Sequence, residues 1–481
     1  MRYYLSLSYQ LQILDLGKIH MGIFRLKALS ELRKELGKSN LKKNLGALDL
    51  ILLGLGGIIG TGIFVITGLA AAQYAGPAIT VSFALGAVVC VFTALAYSEL
   101  AAMLPVSGSA YSYAYLTMGE VVAAMVGWIM LMVFSLGGAT VAAGWSGYMV
   151  GVLKSLGFNL MPELTQIPSQ GGWINLPAVS IVLLLTLMLY RGTKEATRLN
   201  GILVVVKLAA IFLFIAAAAP HANPVHWEVF APNGFFGIAA GAGFIFIAYT
   251  GFDTLATAAE ECKNPNRDLP LGIIGSLVGS AILYVIVSAL LTAIVPYQEL
   301  NSAEPMAVAL RANGIQMGAK LVATGAIAGM TTVMLTQLYG QSRILMVMAR
   351  DGLFPSMFNR LHPKFATPST GVLVSGLLMA TIAGFAPVGT LGQLSSMSTL
   401  IVFAAVSLAV MIMRKKAPLE KRPFVCPAVY GVATLSMVMC IFLFLQLFIQ
   451  NWLPFLAMLG LGLGVYFVYG YKNSTLNNAK K

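Results

Sequence analysis

Residues 54–64 read Gly54-Leu55-Gly56-Gly57-Ile58-Ile59-Gly60-Thr61-Gly62-Ile63-Phe64, and five of the nine positions 54–62 are glycine. Each glycine costs about 1 kcal/mol against alanine in a helix interior, so a continuous helix does not favour this stretch. Two readings fit it. Gly56 and Gly60 form a G-x-x-x-G spacing that lets another helix approach closely. Alternatively the helix is discontinuous: unwinding near Gly60-Thr61-Gly62 frees backbone N–H groups at the start of a second half-helix, where they and the helix dipole suit a carboxylate.

The stretch lies within an apolar run, and the rest of the chain consists of similar runs. A helix needs about 20 apolar residues to cross a hydrocarbon core of roughly 30 Å. About twelve runs qualify, near 48–72, 77–103, 120–150, 174–190, 200–219, 235–259, 270–295, 319–341, 369–388, 391–413, 428–449 and 453–470. Apolar residue types make up 58% of the 481 residues and charged types 10%, and the mean hydropathy is +0.84. A water-soluble surface needs roughly a quarter of its residues charged. Soluble enzymes, disordered chains, collagens and disulfide-rich modules are therefore excluded. A porin-like barrel is excluded too, because its strands alternate apolar and polar residues. The fold class is an all-α polytopic membrane protein.

Two further clues sit inside the runs. The sixth reads Gly241-Ala242-Gly243-Phe244-Ile245-Phe246-Ile247-Ala248-Tyr249-Thr250-Gly251-Phe252-Asp253, again interrupted by glycine and carrying an acid. Runs one and six correspond if the first ten form two five-helix halves, and a matched pair of interrupted helices points to a transporter binding site. Carbonyls freed in the sixth run would take an ammonium, so the pair suits a zwitterion. The competing reading of Tyr249–Asp253 is a glycine kink with an acid at the interface. Lys207 is the second clue, about seven residues into the fifth run. It is either a snorkelling side chain or an ammonium buried beside the first break and suited to releasing a proton during a transport cycle.

The net charge of +13 follows from orientation. Of 30 Lys and Arg, 26 fall in segments that an even number of crossings puts on one face, against Lys154, Arg311 and Lys320 on the other. The basic face is expected to be cytoplasmic, with both termini inside, in a cell (plasma or inner) membrane. Nucleic-acid binding is not implied. The expected organisation is a cytoplasmic segment 1–47 with an interfacial amphipathic helix around Leu29, Leu32 and Leu36, a ten-helix core 48–413, two further helices within 414–471, and a tail 472–481. Residues 1–20 look unlike the remainder of the N-terminal segment, and Met21 is an alternative start. Cys90, Cys262, Cys426 and Cys440 show no paired spacing, and the four histidines form no ligand pair, so neither a disulfide framework nor a metal site is expected.

These residues carry a resemblance. From about Leu41 to the final runs, the chain resembles amino acid permeases of the amino acid–polyamine–organocation superfamily, most of all the cationic amino acid transporter family and its bacterial relatives. Gly60-Thr61-Gly62-Ile63-Phe64, Gly251-Phe252-Asp253 and the segment Glu260–Pro270 are its most specific pieces, supported by Arg343 and Arg350-Asp351-Gly352. The resemblance implies a five-plus-five inverted-repeat transporter fold with helices 1 and 6 broken and two extra C-terminal helices. It implies that Thr61 and Gly62 hold the carboxylate of an L-amino acid through their N–H groups, with Gly60 letting the substrate approach the backbone. The amine would meet carbonyls of Ile58, Phe246, Ile247 and Tyr249. Phe246 would be the outer gate, and Phe252 would line the side-chain pocket.

Lys207 would replace the cation that bridges helices 1 and 8 in sodium-coupled relatives. It would contact carbonyls near Gly56 and Ile59, with Thr331 or Thr332 opposite, so the implied coupling ion is the proton and no cofactor is called for. Close relatives often carry polar or acidic residues near the positions of Ile129 and Val133. Their apolar character here favours a neutral over a cationic amino acid. The expected function is uptake by alternating access; the alternatives are an amino acid/amine exchanger of the same fold or a membrane nutrient sensor. No nucleophile–base pair or metal cluster suggests an enzyme. Apart from the amino acid and the bilayer the sequence names no partner, and it is silent on oligomeric state.

Overall fold

The computed structural model describes residues 24–29, 45–259, 262–363, 365 and 367–478. The expected amphipathic helix falls almost wholly outside them, as do residues 1–20 and Glu260-Glu261 of the family signature. Among the described residues the chain is helical throughout, apart from loops and one isolated backbone bridge between Leu45 and Cys262.

Eight helical segments are long and apolar enough to cross a bilayer, and the shorter apolar helices Leu176–Arg191 and Ser369–Phe385 add two more. Two of the eight, Ala47–Met103 with 57 residues and Val429–Asn473 with 45, are each about twice the length of a crossing. The first is divided at Gly76, whose φ of +60° precedes Pro77. The second is divided at Asn451, which leaves helical geometry at φ −125°, ψ 22°. Twelve spans result. Span 1 comprises Ala47–Ile58 and a second half from Gly62 to Ala75. Spans 2 to 5 are Ile79–Met103, Glu120–Ser155, Leu176–Arg191 and Thr193–Ala218. Span 6 runs from Gly234 to Thr257, and spans 7 to 10 are Pro265–Ile294, Gln316–Arg350, Ser369–Phe385 and Val388–Lys416. Spans 11 and 12 lie on either side of Asn451.

Burial separates a centre from a periphery. The apolar windows of spans 3, 6 and 8 are 78%, 78% and 72% buried within the protein, whereas span 5 and the span 11–12 segment are 33% and 28% buried. Exposed Val205 and Phe212 on span 5, and Ile449 and Val468 on the last segment, are the side chains that lipid must cover. Span 3 has 36 residues, about 54 Å at 1.5 Å per residue, so it tilts or projects beyond a bilayer.

On the face carrying the chain ends, three buried acids gather partners from distant segments. Asp351 pairs with Lys27 at 2.7 Å and accepts from the Tyr111 hydroxyl at 2.7 Å. Glu120 accepts from Tyr115, Tyr466 and Ser474. Glu99 receives Arg414 in a two-pronged contact at 2.7 and 2.8 Å, together with Arg422 at 3.1 Å. Several basic residues on this face thus tie helix ends together as well as setting charge. On the opposite face Asn451 Nδ2 donates to Gln393 Oε1 at 2.9 Å, and Gln393 Nε2 donates to the Tyr74 hydroxyl at 2.9 Å. That chain of amides joins the last two spans to span 10 and to the far end of span 1.

Candidate binding site at two broken helices

Span 1 breaks where the glycines predict. Ile59 is extended at φ −77°, ψ 104°, with its N–H still closing the first half-helix on the Leu55 carbonyl. The chain re-enters helical geometry at Thr61, and Gly62–Ile66 forms a π-helical turn. The first N–H groups of a helix have no intrahelical partner, so this second half presents donors at its start. The close-packing reading also holds, in altered form. Gly56 faces Asn200 and Val204 of span 5, whereas Gly60 faces Val333 of span 8. The G-x-x-x-G spacing therefore serves two neighbours rather than one partner helix.

Span 6 breaks over a longer stretch. Its first half ends at Phe244, Ile245–Tyr249 is a tight 3-10 turn, Thr250 is extended at φ −68°, ψ 148°, and Gly251 has φ +121°. Asp253 Oδ1 accepts from the Gly251 N–H at 3.0 Å, so the acid of the sixth run holds this turn from within a buried position. The two breaks cross at backbone contact. A Cβ on Gly251 would lie 2.6 Å from the Gly57 carbonyl carbon, and one on Gly62 would lie 2.5 Å from Ala248 Cα. Real Cβ atoms do not approach that closely, so the crossing depends on both glycines.

Tyr284 of span 7 stitches the crossing. Its hydroxyl lies 2.8 Å from the Ile58 carbonyl and 3.0 Å from the Ala248 carbonyl, one proton shared between the two broken helices. Its ring packs beside Phe83 and Tyr249, whose own hydroxyl donates to the Phe83 carbonyl. Sequence reasoning missed Tyr284; the one signal was a hydroxyl-bearing aromatic within the seventh apolar run.

Between the breaks lies a small cavity. Of the predicted site residues, Ile58, Gly60, Thr61, Gly62 and Ile247 line it, and its other walls include Gly137 and Val141 of span 3 and Val333 and Gln337 of span 8. The free space amounts to about one water molecule. Phe246, Tyr249 and Phe252 do not line it. Phe246 packs against Phe403 of span 10 at 5.8 Å between ring centres, and Phe252 meets the same ring at 5.0 Å and Tyr97 at 6.0 Å. Ile129 and Val133 stand outside the lining as well, so span 3 meets the cavity through Gly137 and Val141, further along the helix. No lining side chain is acidic or basic. Thr61 Oγ1 and Gln337 Oε1 are buried without a hydrogen-bond partner among the described residues, an arrangement that costs about 1–3 kcal/mol for each group left unsatisfied.

Lys207 lies beside the first break, fully buried. Its Nζ donates to the Gly56 carbonyl at 2.7 Å, the Ile59 carbonyl at 2.8 Å and Thr332 Oγ1 at 3.1 Å. Snorkelling is thereby ruled out, since the side chain turns inward. Three oxygens from spans 1 and 8 thus surround Nζ. Thr331 faces elsewhere, accepting from Trp145 Nε1 of span 3 at 3.1 Å.

A family model described as amino acid permease matches residues 45–463. The branched-chain amino acid permease BcaP of Bacillus subtilis is 42% identical over 462 residues, covering 95% of this chain and 99% of its own. The methylthioribose transporter of the same organism is 41% identical over 458 residues, with 95% and 99% covered. The human cationic amino acid transporter 4 is 36% identical over 409 residues, with 84% and 64% covered. These relatives are named as permeases and transporters, not enzymes.

Proposed function

The chain belongs to the amino acid permease family, and we propose that it is a secondary transporter taking up a neutral amino acid across the cell membrane by alternating access, driven by protons. The carboxylate docks at the N–H groups of Thr61 and Gly62, where the second half of span 1 begins. The amine meets the Ile247 carbonyl of the span 6 break, which lines the cavity as Phe246 and Tyr249 do not. The Ile58 carbonyl, already bound by Tyr284, takes the amine on its second lone pair. Uncharged cavity walls support a neutral substrate, as does the similarity to a branched-chain permease. The basic face carrying the chain ends is cytoplasmic in this reading.

The observation that carries proton coupling is the ammonium of Lys207, held by oxygens of spans 1 and 8. A fixed positive charge there does the bridging that a bound sodium ion would otherwise do. When the proton leaves, the neutral amine keeps two donors for the Gly56 and Ile59 carbonyls and accepts from the Thr332 hydroxyl. The site thus tolerates both protonation states without a stranded group, and the bridge between the two spans weakens from a charged contact to a neutral one.

The test is uptake of labelled neutral amino acids into liposomes holding the purified protein, under an imposed pH or sodium gradient. Accumulation driven by an inward proton gradient is expected, and Lys207→Ala is expected to abolish that accumulation. Uptake driven by sodium and indifferent to pH overturns proton coupling. Uptake that requires amino acid on the inside identifies an exchanger.

A further inference from the structure

Span 8 presents the same side chain twice on one face, since Val333, Gln337 and Gln341 are spaced by four residues. Gln341 donates through Nε2 to Ser135 Oγ of span 3 at 2.6 Å. Two residues along span 3 stands Gly137, and a Cβ there would lie 3.2 Å from Gln337 Nε2. Where Gln341 finds a hydroxyl on the facing helix, Gln337 finds a glycine and the cavity. Its side chain is 3% exposed and lines the cavity; Oε1 is buried without a partner in both glutamines, so what sets Gln337 apart is that it borders the cavity.

The geometry points to Gln337 as the group that reads the substrate's side chain, selecting neutral amino acids with a hydroxyl or amide over aliphatic ones of the same shape. This rests on the transport reading above and narrows its substrate class. Across from one another, Val141 of span 3 and Val333 of span 8 offer shape without hydrogen bonds, and the lining hydroxyls of Thr61 and Thr250 lie at the two breaks. An aliphatic substrate would leave the Gln337 amide buried and unpaired, whereas a hydroxyl or amide both donates to Oε1 and accepts from Nε2. Sites built to bond a substrate's polar group reject the isostere lacking it more strongly than apolar pockets reject an extra methylene.

Threonine and valine are near-isosteres, so their competition isolates the hydrogen bond. In proteoliposomes, threonine is expected to compete with the transported amino acid at least about tenfold better than valine. In Gln337→Leu that ratio is expected to fall to about one or to invert. Gly137→Ser supplies Gln337 with a protein partner like the one Gln341 has, and is expected to reduce the threonine preference while leaving Gln337 in place. Valine competing as well as threonine in the wild type overturns the inference and leaves amino acid transport intact. So does a parallel loss of both substrates in Gln337→Leu, accompanied by an unchanged ratio in Gly137→Ser. Absence of uptake for every amino acid overturns the transport reading and this inference with it.

Discussion

The two broken helices at the centre of the molecule are unlike each other. Span 1 breaks abruptly at Ile59 and recovers within two residues into a π-helical turn. Span 6 loses helical geometry gradually, through a 3-10 turn, an extended Thr250 and a left-handed Gly251. The abrupt break delivers a helix start, hence N–H donors. The gradual one delivers a run of backbone whose carbonyls are not committed to regular α-helical bonds, flanked by aromatic rings. That difference is what the proposed zwitterionic substrate calls for, with its carboxylate at one break and its ammonium at the other.

The contrast is most vulnerable where the two backbones touch. Gly62→Val puts a Cβ 2.5 Å from Ala248 Cα, and uptake is expected to fall at least about 100-fold; an uptake rate near that of wild type would show that the breaks do not need to cross this closely. Gly251→Ala combines a φ of +121° with a Cβ 2.6 Å from the Gly57 carbonyl carbon. A lowered thermal midpoint in detergent is expected, with a destabilisation of about 1–3 kcal/mol from the backbone conformation alone. Tyr284→Phe keeps the ring and removes the shared hydroxyl. Hydrogen bonds between membrane helices average about 0.6 kcal/mol and reach about 1.7, so a rise of roughly 3- to 20-fold in KM is expected, measured by initial uptake rates. The smallest effect belongs to Thr250→Val, which loses only a local bond from Oγ1 to the Ile247 carbonyl at 2.8 Å. Less than about threefold change in uptake is expected, and a larger one would mean that the span 6 turn is set by this side chain rather than by Gly251.

The same contrast explains what was legible in the sequence. Glycine clustering made the span 1 break readable, although each of the five glycines in positions 54–62 also meets a close neighbour. Span 6 was readable from Gly251 and its acid, yet its glycines 241 and 243 fall within regular helix and only Gly251 does the bending. Lys207 stood out as a charge within an apolar run, and its surroundings follow from geometry that family resemblance anticipated. Tyr284, Gln337 and Gly137 stayed hidden for a common reason. Their meaning depends on which helix faces which, and a helix-forming pattern of 3.6 residues does not specify its neighbours. Phe246 and Phe252 illustrate the converse: both belong to the interrupted sixth run, and the structure seats them against Phe403 rather than along the cavity.

The small size of the cavity bears on what the membrane experiences when the protein is unloaded. Space for about one water, beside a lysine nitrogen already surrounded by three oxygens, makes a narrow waist. Even glycine is too large for it, so a substrate can enter only when the walls part. In the transport cycle proposed above, this posture is the one that limits back-leak of substrate and of the driving ion between deliveries.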